Sequence, residues 1–140
     1  MIHKLARVTI YVRDQEEALA YYTEKLGLEK RSDQSFGPRM RWLTVAPKGQ
    51  AEVEIVLQSP NEAMHGKRGA KRIEKLIGQG STWVWYTEDC RATHAELEAR
   101  GVKFTSTPLE QPYGTEAVFE DLYGNTFSLL QPRQQLTFQD

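Results

Sequence analysis

Arg7-Val-Thr-Ile-Tyr-Val-Arg-Asp14 comes back 75 residues later as Thr82-Trp-Val-Trp-Tyr-Thr-Glu-Asp89. In the first copy Val8, Ile10 and Val12 fall on one face, and Arg7, Thr9 and Tyr11 on the other. Alternation with period two among β-branched residues marks a half-buried strand. Asp14 stands where a helix N-cap belongs, with Glu16 and Glu17 in a first turn that favours negative charge. Ala18, Leu19, Tyr22 and Leu26 give a helical stripe, and Gly27 fits the residue that ends it.

Beyond this stretch, short strands are expected over Leu28 to Ser32, Met40 to Ala46 and Glu52 to Gln58. In the last of these, Val53, Ile55 and Leu57 oppose Glu52, Glu54, Val56 and Gln58. Ser59-Pro60 closes it. After the second copy of the opening motif, Asp89 caps a helix whose stripe includes Ala92, Ala95 and Leu97. Arg100-Gly101-Val102 repeats the ending at Gly27, with a one-residue slip in helix length. Strands follow at Val102 to Ser106, Glu116 to Glu120 and Thr126 to Gln131, the last two joined by the hairpin Asp121-Leu-Tyr-Gly-Asn125. The chain therefore reads as one βαβββ unit used twice: a first module over 5–60, a connector with a short helix over 61–80, a second module over 81–132, and a C-terminal tail over 133–140. Ala70, Ile73, Leu76 and Ile77 give the connector helix its apolar side, and Lys67, Arg68, Lys71, Arg72 and Lys75 read as its solvated face.

Composition narrows the function classes. The 140 residues have 26% charged and 39% apolar side chains, an ordinary globular mixture. The net charge of -1 lacks the basic excess of a nucleic-acid binder. Cys90 is the only cysteine, so an internal disulfide framework and a multi-cysteine zinc site are both excluded. No apolar run approaches a membrane span. The expected setting is cytoplasmic, with neither nucleic acid nor membrane as a partner.

Each unit should lay one helix on one face of a four-stranded sheet. The other face, carrying Arg7, Thr9, Tyr11, Glu54, Val56 and Gln58, is too mixed for a dry core and too aromatic for plain surface. Two such sheets side by side would form an open α+β sheet assembly with a concave cavity, the default place for a ligand. Arg39 and Arg41, flanking Met40 after Phe36-Gly-Pro, read as solvated arginines of the cavity rim.

The doubled βαβββ plan, the Asp14 turn, the Arg-Gly-Val helix end and Asp-Leu-Tyr-Gly-Asn before the last strand resemble the vicinal oxygen chelate superfamily. This group includes glyoxalase I, bleomycin-resistance proteins, fosfomycin-resistance enzymes and extradiol dioxygenases. The resemblance covers roughly residues 5–132 and implies the fold more than the activity. It also implies where a metal would sit: at the start of the first strand and the middle of the last strand in each unit. Those positions are Arg7, Glu54, Thr82 and Ser128. Only Glu54 is an ordinary ligand, and an arginine has no lone pair to offer a cation. No cofactor is therefore expected. Glu54 is the one candidate for a catalytic base, and a direct hydrogen bond to Arg7 on the neighbouring strand would weaken it in that role.

Two readings follow. One is a small-molecule binder of the bleomycin-resistance kind without catalytic metal, its cavity walled by Arg7, Thr9, Tyr11, Trp42, Glu54, Val56, Thr82, Tyr86 and Ser128. The other is a metal-dependent lyase, isomerase or dioxygenase with a displaced site, drawing on His3 or His65 with Glu54. His94 faces solvent or packs at an edge. Cys90 with His94 one turn on has the look of a nucleophile pair, on the side of the sheet away from the cavity. The superfamily's habits and the uncovered edge strands imply a homodimer.

Overall fold

The computed structural model describes residues 1–133. It divides the chain into two compact units, one spanning Met1–Gln79 and the other beginning at Gly80. The tail expected from 133 lies, beyond Arg133, outside the described residues.

The first unit runs β1 (Arg7–Tyr11), α1 (Gln15–Ala20), β2 (Glu29–Ser35), β3 (Arg41–Ala46), β4 (Glu54–Gln58) and α2 (Glu62–Leu76). Its sheet has the order β1-β4-β3-β2. β1 lies parallel to β4, while the other neighbours are antiparallel. The expected register holds: Ile10 pairs with Leu57, Val8 with Ile55, and Val45 with Ile55. Ile10, Ile55, Leu57 and Val45 are buried on the helix side, and Val8 at its edge is half-buried.

Asp14 caps α1 by accepting from the Glu17 backbone N–H at 2.8 Å. The helix then widens into a π-helical turn over Tyr21–Lys25, in which the Leu26 N–H reaches back to the Tyr21 carbonyl at 3.2 Å. This turn absorbs the residue by which the first helix exceeds its repeat. It also lets the adjacent Tyr21 and Tyr22 both bury, with their rings edge to face at 5.5 Å. Arg41 ties β3 to its surroundings, donating to Asp33 on β2 and to Glu16 on α1, each at 2.8 Å. Its guanidinium holds the Asp33 carboxyl below the usual carboxylate range.

α2 is longer than the short connector helix expected, and non-helical backbone at Gly66 interrupts it. Ala70, Ile73 and Ile77 are buried as the pattern predicts, but Leu76 is 42% exposed.

The second unit runs β5 (Trp83–Tyr86), α3 (Cys90–Ala99), β6 (Lys103–Gln111), β7 (Gly114–Glu120) and β8 (Thr126–Pro132). Its sheet order, β5-β8-β7-β6, repeats that of the first. Asp89 caps α3 through the Ala92 N–H at 3.0 Å. Trp83, Trp85 and Phe119 surround the fully buried Phe127, at ring distances of 6.0, 5.7 and 5.4 Å. β6 outlasts its expected end at Ser106 because pairing with β7 carries it on to Gln111 through exposed residues with no apolar alternation.

The stripe of α3 is corrected. Ala92 and Ala95 do not supply its core contacts, which come from Cys90 and Leu97, with Thr93 and His94 between them. With Asp89 as the cap, Cys90, Thr93, His94 and Leu97 recur at the spacing that keeps one helix face on the sheet. No described helix is long and apolar enough to cross a membrane.

Candidate functional site

On the first sheet, the face away from α1 is assembled by register. Arg7 stands beside Glu54, Thr9 beside Val56, and Val56 beside Thr44. Tyr11 and Trp42 share that face by strand parity. Thr44, Val56 and Gln58 are buried. The Thr44 hydroxyl accepts from the Ser32 N–H at 3.0 Å, so its burial leaves it bonded.

The Arg7–Glu54 pair forms, with a correction. Arg7 Nε stands 3.6 Å from Glu54 Oε1, an ion pair too long for the direct hydrogen bond expected. The guanidinium is also placed over the Trp42 ring, 5.8 Å from its centroid. Attraction to the ring face competes with attraction to the carboxylate and holds the head group between the two. Glu54 Oε1 is shielded from solvent and has no hydrogen-bond partner among the described residues.

On the second sheet, Val84 neighbours Ser128, and Tyr86 neighbours Leu130, on the face away from α3. Tyr86 is 70% exposed. Thr82 precedes β5 and is exposed, with its hydroxyl turned back onto the Ser81 carbonyl at 2.7 Å. Ser128 donates to Glu116 Oε2 at 2.5 Å, and the Tyr113 hydroxyl donates to Glu116 Oε1 at 2.6 Å. Hydrogen bonding to that carboxylate pushes the Tyr113 phenol up from its ordinary value.

Glu116 is the residue that sequence reasoning passes over on this face. Its bond to Ser128 is a cross-strand diagonal, since Glu116 is opposite Leu130 and Ser128 is opposite Val118. A diagonal contact depends on strand register, which residue spacing alone does not specify.

The donor set does not suit a divalent metal. A guanidinium occupies the first of the four superfamily positions, and two more are hydroxyls already bonded to protein oxygens. No group of three or more His, Cys, Asp or Glu side chains capable of holding a metal occurs among the described residues. His65 lies in α2, and its buried Nδ1 has no hydrogen-bond partner among the described residues. His94 packs its ring on Phe104 at 4.4 Å.

Cys90 is fully buried, donates to the Leu129 carbonyl at 3.6 Å, and has its thiol pushed up by burial. A thiolate nucleophile needs the opposite environment. Ellman's reagent is accordingly expected to leave Cys90 unmodified in the native chain and to label it stoichiometrically in denaturant. Rapid labelling of folded protein would contradict this burial.

Two βαβββ units with mixed four-stranded sheets define a glyoxalase-type fold. The chain belongs to the Glyoxalase/Bleomycin resistance protein/Dioxygenase superfamily, whose pattern it matches over residues 4–129. It is 44% identical to UcmS2, whose crystal structure superposes with a TM-score of 0.82, covering 93% of this chain and 98% of that one. TnmS3, an antibiotic binding protein from Streptomyces sp. CB03234, is 32% identical with a TM-score of 0.73, covering 94% and 98%. YetH of Bacillus subtilis (strain 168) is 35% identical over 129 residues, 92% of this chain and 98% of its own length.

Proposed function

We propose that this chain binds small organic molecules on its sheet faces without a catalytic metal, the first unit's face offering Arg7, Thr9, Tyr11, Trp42, Glu54 and Val56, and the second unit's face offering Thr82, Tyr86 and Ser128. The observation that carries this reading is the Arg7–Glu54 pair, which sets a cation of the protein's own where a metal ion would be needed. The aromatic side chains of these faces suit a flat or apolar ligand. The likeness to TnmS3, an antibiotic binding protein, points the same way. In this reading the protein is a cytoplasmic homodimer. Each sheet ends in strands with a single neighbour, β1 and β2 in the first and β5 and β6 in the second, and association covers such edges.

Thermal unfolding in the presence of aromatic natural products, bleomycin among them, tests the proposal. A ligand held at a hundred times its Kd stabilises the native state by about 2.7 kcal/mol and raises Tm by several degrees. Trp42→Ala is expected to remove that shift. Treatment with EDTA is expected to leave both Tm and the ligand shift unchanged. Stoichiometric Zn, Ni, Mn or Fe in the purified protein, lost together with the ligand response, would overturn the metal-free reading. Light scattering at micromolar concentration is expected to return twice the chain mass of 16.1 kDa. A monomer mass would refute the dimer.

A further inference from the structure

The charge of this molecule is unevenly spread. Between Lys67 and Lys75, α2 carries five cations against Glu74 alone, a net of +4 in nine residues. The whole chain carries -1, so everything outside that stretch carries -5. All five cationic residues are exposed, while Ala70, Ile73 and Ile77 anchor the opposite side of the segment in the core. The array is therefore held on a packed helix.

Among the described residues no ion pair neutralises it. Ion pairs form in both units, yet Lys67, Arg68, Lys71, Arg72 and Lys75 join none of them and make no hydrogen bond to a side chain among the described residues. Instead the cations recur at one-turn spacing: Lys67 and Lys71, Lys71 and Lys75, Arg68 and Arg72. Each such like-charged pair disfavours the helix. The five side chains line a depression of about 800 Å³ along α2, together with Ala70 and the carboxylates of Glu62 and Glu74, so the cations outnumber the acids in its wall by three.

We propose that this face of α2 binds a short phosphoanhydride anion, of the kind carried by nucleoside triphosphates and inorganic polyphosphate. Arg68 and Arg72 offer planar forks that match phosphate oxygens two at a time, and the lysines add point charges beside them. The length of the patch selects a short occupant. From Lys67 to Lys75 the helix advances about 12 Å, little more than one Debye length in physiological salt. A ligand confined to that span meets the +4 patch. A nucleic-acid polymer or an acidic bilayer extends beyond it, and the rest of the first unit, with nine cationic and nine acidic residues, adds no net attraction.

Calorimetric titration of the full chain with sodium tripolyphosphate tests this, at low and at high salt. Saturable 1:1 binding that weakens with salt is expected. Arg68→Gln/Lys71→Gln/Arg72→Gln should weaken it about tenfold or more, a loss typical of removing charge-assisted contacts to phosphate. Lys4→Gln, on the same unit but outside the patch and paired with Glu52, should leave it unchanged. The substituted positions are exposed, and an unaltered melting curve would verify that the triple variant folds. Absence of binding, or equal affinity in the triple variant, would overturn the proposal. So would co-sedimentation with vesicles of phosphatidylcholine and phosphatidylserine in the absence of any tripolyphosphate binding, which would assign the patch to a membrane surface.

Discussion

Phe127→Ala is expected to lower unfolding stability by about 3–5 kcal/mol, the cost of emptying an aromatic site in a packed core. Phe127 is fully buried and makes ring contacts with Trp83, Trp85 and Phe119, so one truncation removes a contact shared by three strands. The surrounding rings are wide and flat and cannot collapse into the gap without leaving their rotamers. Urea unfolding followed by tryptophan fluorescence measures the effect and reports from two of the rings involved. A loss under about 1 kcal/mol would mean that the second core is not organised around Phe127.

Gly114→Ala comes next, through the backbone. Gly114 begins β7 with φ at +147°, and a Cβ built there would collide with the Gln131 carbonyl oxygen and lie 2.9 Å from the Pro132 Cα. Both obstacles belong to the main chain of β8, so relief requires opening the end of the β7–β8 ladder. A destabilisation above about 2 kcal/mol is expected, combining conformational strain with a steric clash. Gly49→Ala supplies the control: its φ is +82°, with nothing within 4 Å of the added carbon. That change should cost only about 1 kcal/mol. Equal losses at the two sites would show that the close approach to β8 is not what makes Gly114 hard to replace. Gly114 is also the neighbour of Tyr113, so the variant should disturb the hydroxyl that holds Glu116.

The architecture is legible in the sequence because its signals are local and occur twice. Alternation in Arg7–Tyr11, a capping aspartate, and a glycine after the helix are each set within a few residues, and the second copy repeats them in the same order. What depends on the meeting of distant segments is less legible. The π-helical turn at Tyr21–Lys25 shows in the sequence only as a one-residue slip between copies. The Arg7–Glu54 pair follows from strand adjacency, but its length of 3.6 Å reflects Trp42, a third partner on the same face. Composition points Ala92 and Ala95 inward, whereas helix phase turns Thr93 and His94 toward the sheet. Arg41, a solvated rim arginine by its place in the sequence, is committed to Asp33 and Glu16.

The parallel pairing of β1 with β4 imposes an order on synthesis as well as on structure. Arg7 meets Glu54, 47 residues further along, whereas β7 and β8 meet across the few residues of Asp121–Asn125. Closing the longer loop costs roughly 2 kcal/mol more in chain entropy. A chain emerging from a ribosome at about 5–20 residues per second therefore holds its first strand unpartnered for several seconds, until β4 has followed it out. During that interval Val8 and Ile10 remain uncovered beside an unpaired backbone edge. The first strand of this sheet to be made is the last to be placed, so the nascent chain carries an unpaired edge that the finished sheet closes against β4.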